Sequence, residues 1–291
     1  MSRKIINSFE IKLEFSPNTE DPSRLFRSFA SLIDGISQYD SFIAQTAHSS
    51  VSNKIILNDI EKGSLIAKLY NSLIINESEK IDTIKDDKSI ASYIDKSRVL
   101  GLRFIEAESS NIEDLEKLAN DIEKIADETG IKNTFHYSPP NILELAKSIN
   151  VVAQSSNKLT DEENFQISSE EESGITITKD SKLINIEEVE NALTEQTIEN
   201  TTTHFYKIKK PDFLGDSAWE FKQGNKSPKA KILDKKWLDK FLTGKEVVVP
   251  GDSLQVNVKA VHKYNKNGYL ISEKIEIIEV ISVIHNRSNE S

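Results

Sequence analysis

Near the start of the chain Phe9, Ile11, Leu13 and Phe15 alternate with Glu10, Lys12 and Glu14. A period of two places one set on each face of an extended backbone, so this stretch is expected to be a half-buried strand. The pattern changes after "SPNTEDPS": Leu25, Phe29, Leu32, Ile33 and Ile36 recur at helical spacing. Asp21 is placed to accept backbone N–H bonds as an N-cap, and Pro22 falls where its missing N–H costs nothing. "KIILNDIEKGSLIAKLY" then carries two apolar stretches around Glu61-Lys62-Gly63, the pattern of a hairpin with glycine at positive φ. The opening unit is therefore expected to run strand, helix, strand, strand, with the helix covering one face of a small sheet.

Residues from about 85 to 158 carry mostly helical periodicity. In "NIEDLEKLANDIEKIADETG", Asn111 is a cap, Ile112, Leu115, Leu118, Ile122 and Ile125 form the stripe, and Gly130 ends the helix. "SPPNILELAKSINVVA" starts another helix after two prolines. Over 99–107, within "RVLGLRFIEA" (98–107), two states fit: Leu100, Leu102 and Phe104 alternate as in a strand, a buried helix also fits, and Gly101 weighs against the helix. From Ser155 the chain turns polar, acidic and serine-rich, including the run Glu170-Glu171-Glu172. That change reads as a linker.

From His204 to Asn286 short alternating runs are separated by turn residues such as Pro250-Gly251-Asp252 and "NKNG", with one amphipathic helix, "DKKWLDKFLTG". The expected fold class is α+β. It combines an N-terminal strand-helix-hairpin unit and helical segment with a mainly-β C-terminal small barrel or bent sheet carrying one short helix. The expected domains are 1–154 (α+β and helical), 155–203 (an acidic linker with short elements) and 204–286 (basic and β-rich).

Composition narrows the chemistry. At about 100–200 residues per domain, 291 residues suit two domains. The absence of cysteine excludes disulfides, thiol catalysis and cysteine-ligated metal centres. It suits a reducing compartment, and no apolar run approaches the ~18 residues of a membrane span. The first residues are basic but lack the apolar core of a secretion signal, so the expected location is cytoplasmic, with no membrane partner. Abundant Lys, Ile, Asn and Ser point to an AT-rich bacterial genome.

Charge divides the chain. Residues 204–286 hold fifteen lysines and no arginine against five aspartates and five glutamates, a net +5, while the whole chain carries −10 and residues 1–203 carry −15. Nine of the 21 aromatic residues lie in the same C-terminal stretch. Rings on which bases stack, with lysines to track phosphates, are the composition of a single-strand nucleic-acid reader. The same composition serves a thin β-core with a solubilised outer face, or docking on an acidic protein surface. The candidate binding residues are Lys207, Lys209, Lys210, Lys222, Lys226, Lys229, Tyr264 and Tyr269.

"PDFLGDSAWEFK" (211–222) places Asp212 before a Glu220-x-Lys222 pair. Metal-dependent nucleases use two carboxylates to hold Mg²⁺ and a lysine to orient water. Glu220 and Lys222, two apart on a strand, share a face, and Trp219 and Phe221 share the other. Against that chemistry, the Asp and the Glu-Lys pair are too close in sequence for two long adjoining strands. Asp212, Gly215 and Asp216 equally build a turn, with Trp219 and Phe221 as core anchors.

The five histidines, His48, His136, His204, His262 and His285, lie outside helical or strand spacing of one another. His136, ahead of a helix start, is a candidate anion ligand. No phosphate-binding glycine loop or serine-nucleophile elbow occurs. The expectation is a non-enzymatic interaction protein without cofactor or metal, using its basic C-terminal domain to bind a protein partner. Single-stranded nucleic-acid binding is the alternative, and a metal-dependent nuclease built on Asp212, Glu220 and Lys222 is the second alternative.

Overall fold

The computed structural model describes residues 4–16, 19–60, 65–75, 87–134, 136–169, 174–213, 217–249 and 251–286. Glu61-Lys62-Gly63, the run Glu170-Glu171-Glu172, Gly215, Asp216 and Pro250 lie outside the described residues. The chain divides into two compact units, Met1–Val189 and Glu190–Ser291.

In the first unit, β1 (Lys4–Glu14), β2 (Val51–Ile60), β3 (Leu65–Ile75), β4 (Asn164–Ser169) and β5 (Ile175–Thr178) form one sheet in the order β2-β3-β1-β4-β5. Every neighbouring pair is antiparallel. Phe9, Ile11 and Leu13 are buried while Glu10, Lys12 and Glu14 are not, as the alternation of β1 predicts. The helices are α1 (Pro22–Ala47), α2 (Asp87–Glu106), α3 (Ile112–Glu128) and α4 (Ile142–Gln154). The Asp21 carboxylate accepts from Arg24 N–H, and Asn111 and Asn141 cap α3 and α4 in the same way.

The two-state stretch at 99–107 is helical, lying in α2 as far as Glu106. Gly101 is there for packing: a Cβ at this position would sit 2.6 Å from the Tyr39 phenol of α1. Tyr39 donates from its hydroxyl to Ser97 O. A side chain at 101 would separate the two helices, so the glycine marks a close helix approach.

Beneath the helices, the Arg98 guanidinium binds Asp40 through Nε (2.9 Å) and Nη2 (2.8 Å) and Asp95 through Nη1 (2.8 Å). Asn71 Nδ2 donates to Asp40 at 2.6 Å, and the guanidinium lies 4.3 Å from the centre of the Phe9 ring. All these polar side chains are buried, so the cluster ties α1, α2 and β3 together through charges that have no access to water.

Residues 155–203, expected as an acidic linker with short elements, hold β4, β5, α5 (Ile186–Leu193) and the first part of β6.

The second unit contains β6 (Gln196–Lys210), β7 (Trp219–Lys222), β8 (Lys229–Ile232), α6 (Lys235–Leu242), β9 (Ser253–Tyr264) and β10 (Leu270–Ile284). The strands close into a barrel in the order β10-β8-β7-β6-β9, with β8 and β10 parallel and the other pairs antiparallel. Five strands in this Greek-key order, with one helix between the third and the fourth, have the connectivity of an OB-type barrel. Trp219 (1% exposed) and Phe221 fill it together with Tyr206, Leu254, Val256 and Val258, and Trp237 and Phe241 of α6 close one end. Asp234 joins helix to barrel: Oδ1 caps α6 at Trp237 N–H and Oδ2 accepts from Val280 N–H of β10.

Candidate nucleic-acid interface

Alternation along β6 sends Tyr206 and Ile208 into the barrel and Phe205, Lys207 and Lys209 outward. On β7, Trp219 and Phe221 point in, leaving Glu220 and Lys222 on the outer side. On β8, Ala230 and Ile232 point in, leaving Lys229 and Lys231. The strand register then assembles one surface. Lys207 stands directly opposite Lys222, and Glu220 directly opposite Lys229. Glu220 reaches Lys209 Nζ at 3.4 Å and Lys229 Nζ at 3.5 Å. Hydrogen bonding to Lys209, with a smaller contribution from Lys229, holds the Glu220 carboxyl below its ordinary range.

Lys207 and Lys222 have no acidic partner in the ion pairs of the described residues, although like charges directly opposite each other weaken strand pairing. Beside them Phe205 is 57% exposed. The β6–β7 connection carries Phe213, 63% exposed, its ring 5.5 Å from that of Phe241. Lys231 stands opposite Glu276 of β10, so the face centred on β7 joins four lysines, one carboxylate and a bare aromatic ring, with a second ring on the loop that borders it.

Of the eight candidate binding residues, Lys207, Lys209, Lys222 and Lys229 share this face. Lys210 ends β6 opposite Glu220, and Lys226 sits in the β7–β8 turn. Tyr264 and Tyr269 lie elsewhere, at the tip of the β9–β10 hairpin, where Tyr269 is 71% exposed. The nuclease candidates receive other roles. Asp212 accepts from Ser217 N–H (3.0 Å) and Oγ (2.6 Å), closing the loop ahead of β7. Glu220 is held by lysines. Among the described residues, no three His, Cys, Asp or Glu side chains are grouped to hold a metal ion.

Three features were not read from the sequence. His48, buried, packs against His136 with ring centres 4.1 Å apart and the planes tilted by 50°, bringing together two histidines 88 positions apart. Asp252 is a buried latch: it accepts from Val249 N–H, Asn286 N–H and His285 Nδ1, tying the start of β9 to the end of β10. Burial pushes its carboxyl up, but these donors outweigh burial and hold it below the ordinary value. The third is a groove of about 460 Å³ at the barrel mouth, between the β7–β8 turn and the inner side of β6, β9 and β10, with His204 and His262 in its walls. The available signal was parity: His204 shares the inward set of Tyr206, and His262 that of Val256 and Val258.

Among the described residues no helix is long and apolar enough to cross a membrane. Comparison of the chain with protein-family models, curated proteins and solved structures finds no match.

Proposed function

We propose that the protein is a non-enzymatic binding protein whose C-terminal barrel holds single-stranded nucleic acid on the outer face of β6, β7 and β8. The observation that carries this reading is the Lys207–Lys222 cross-strand pair, unneutralised beside the exposed Phe205 ring. Such a pair costs the fold something, and an incoming phosphate offsets that cost. Bases stack on Phe205 and Phe213 while the lysines follow the backbone.

Strands two and three and the first loop of an OB-type barrel are where this architecture binds oligonucleotides and oligosaccharides. That support is an analogy at the level of fold, and the case for nucleic acid rests on the lysines and rings themselves. Lysine without arginine supplies point charges rather than a bidentate fork, so the binding is expected to tolerate sequence. The N-terminal unit, which bears most of the acidic charge, is assigned to contact with a protein partner.

The test is a titration of the full chain with fluorescent oligo-dT, oligo-U and a duplex of equal length, each at several salt concentrations. Salt-dependent binding that favours the single strands supports the proposal. Equal affinity for duplex, or no salt dependence, overturns it, and retention of an acidic protein on the same lysines without oligonucleotide binding assigns the face to protein docking.

A further inference from the structure

The groove at the barrel mouth lies on the inner side of β6, away from the lysine face. Its volume of about 460 Å³ is in the range of pockets that bury small ligands. Its chemistry is mixed and directional. The His204 and Tyr206 rings lie nearly parallel, at 8° with centres 5.5 Å apart. The His204 ring is fixed at both nitrogens: Gln223 Nε2 donates to Nδ1 at 2.9 Å, and Nε2 meets Thr202 Oγ1 at 2.8 Å. With Nδ1 accepting from the amide, Nε2 is the nitrogen that can donate to Thr202 Oγ1. Across the groove His262 Nε2 and Glu273 Oε1 are 3.1 Å apart. Glu273 lines the groove, and Tyr206 is raised above its ordinary pKa by burial first and then by the Glu273 charge. Val258 and Ile275 supply apolar wall, and Lys226 of the β7–β8 turn stands at the rim.

We propose that this groove binds a single unpaired nucleobase, with Lys226 meeting an attached phosphate. The ligand has to be flat, because the fixed His204 ring offers a stacking plane. It has to carry N–H donors, because Glu273 accepts, and acceptors, because the Gln223 amide can donate. A nucleobase combines these properties, and Gln and Glu are side chains that read base edges. The base can belong to a free mononucleotide or to a nucleotide splayed from a strand. The site is distinct from the outer face, so it stands or falls separately from the function proposed above.

The test is calorimetric titration of the full chain with AMP, GMP, CMP and UMP, and with short oligonucleotides that contain or lack one abasic position. The expected result is saturable binding of at least one mononucleotide. It should weaken about tenfold or more in Glu273→Gln and in Gln223→Ala, each losing hydrogen bonds to the base, and stay unchanged in Lys207→Glu/Lys222→Glu. If strands use the site, oligonucleotides with the abasic position bind more weakly than intact ones. If only free nucleotides use it, that difference vanishes while mononucleotide binding remains. Absence of saturable binding by all four mononucleotides up to millimolar concentration, or binding indifferent to both groove variants while their melting curves match the parent, overturns the proposal.

Discussion

Glu220→Gln separates the binding account from the nuclease alternative, because the two predict opposite outcomes. Glu220 lies between Lys209 and Lys229 at 3.4 and 3.5 Å and is, among the described residues, the carboxylate that pairs with these lysines. Counting Lys207, Lys209, Lys222 and Lys229 against Glu220, the face carries a formal +3, and the substitution raises it to +4 while keeping the shape of the side chain. Two lysines that now share an acid become free to meet phosphates. On a single strand each neutralised phosphate contributes about −0.7 to the slope of log K against log salt, so the slope should steepen by up to about 1.4.

The assay is fluorescence anisotropy of a labelled oligo-dT across a salt series, with affinity rising most at low salt. The lowered pKa adds a pH signature. The wild-type face should bind more tightly as pH falls through the depressed Glu220 value, and Glu220→Gln should not show that rise. The ion pairs' contribution to stability has the opposite dependence: it is present above the unfolded-state pKa and lost as pH falls through the folded one. Weaker binding in Glu220→Gln, or an unchanged slope, refutes the reasoning. Mg²⁺-dependent cleavage abolished by the substitution establishes the nuclease instead.

Three further outcomes follow from the structure. Arg98→Met leaves Asp40 and Asp95 buried without their cation and should cost about 3–5 kcal/mol in urea unfolding of the N-terminal unit, with part recovered by adding Asp40→Asn and Asp95→Asn. Trp219→Ala empties the centre of the barrel, where the ring meets Phe241 at 4.9 Å and Trp237 at 5.9 Å, and should cost about 3–5 kcal/mol, read by denaturant unfolding of the C-terminal unit. Asp252→Ala orphans the donors of Val249 and Asn286 and should cost about 1–3 kcal/mol at neutral pH. Because the folded Asp252 pKa is depressed, its contribution is complete above the unfolded value near 4 and disappears as pH falls through the folded one. The melting difference between variant and parent should therefore shrink in acid.

The legible parts of the fold were those where one face meets a core. Phe9, Ile11 and Leu13 announced β1 because the sheet buries alternate residues, and Asp21 and Asn111 announced helix starts because orphan N–H groups need acceptors. Gly101 left strand and helix both open over 99–107, and the close packing of Tyr39 against it is a tertiary reason for glycine in a helix that the sequence alone does not show. The first half of β6, "QTIENTTT", carries almost no alternation because its residues are exposed on both sides, so only the part from His204 onward looked like a strand.

The candidate face was partly legible. Alternation placed Glu220 and Lys222 together, but the partners Lys207 and Lys229 come from other strands and required the register. The barrel-mouth groove required it too, since His204, Gln223, His262 and Glu273 meet only after closure. Of the stretch 211–222, the described ends divide into a loop closed by Asp212 and a strand anchored by Trp219 and Phe221, whose outer side presents Glu220 and Lys222.

The central claim is that the unpaired Lys207–Lys222 face captures a single strand. Its most direct measurement is the salt slope of oligonucleotide binding for the full chain and for Lys207→Glu/Lys222→Glu, with an oligo-dT of about 16 nucleotides between about 50 and 200 mM salt. With two to four lysines engaged, the parent slope should lie between about −1.4 and −2.8, and the double variant should lose at least about 1.4 of it along with most of its affinity. A parent slope near zero, or a double variant that binds as the parent does while both remain folded, contradicts the claim.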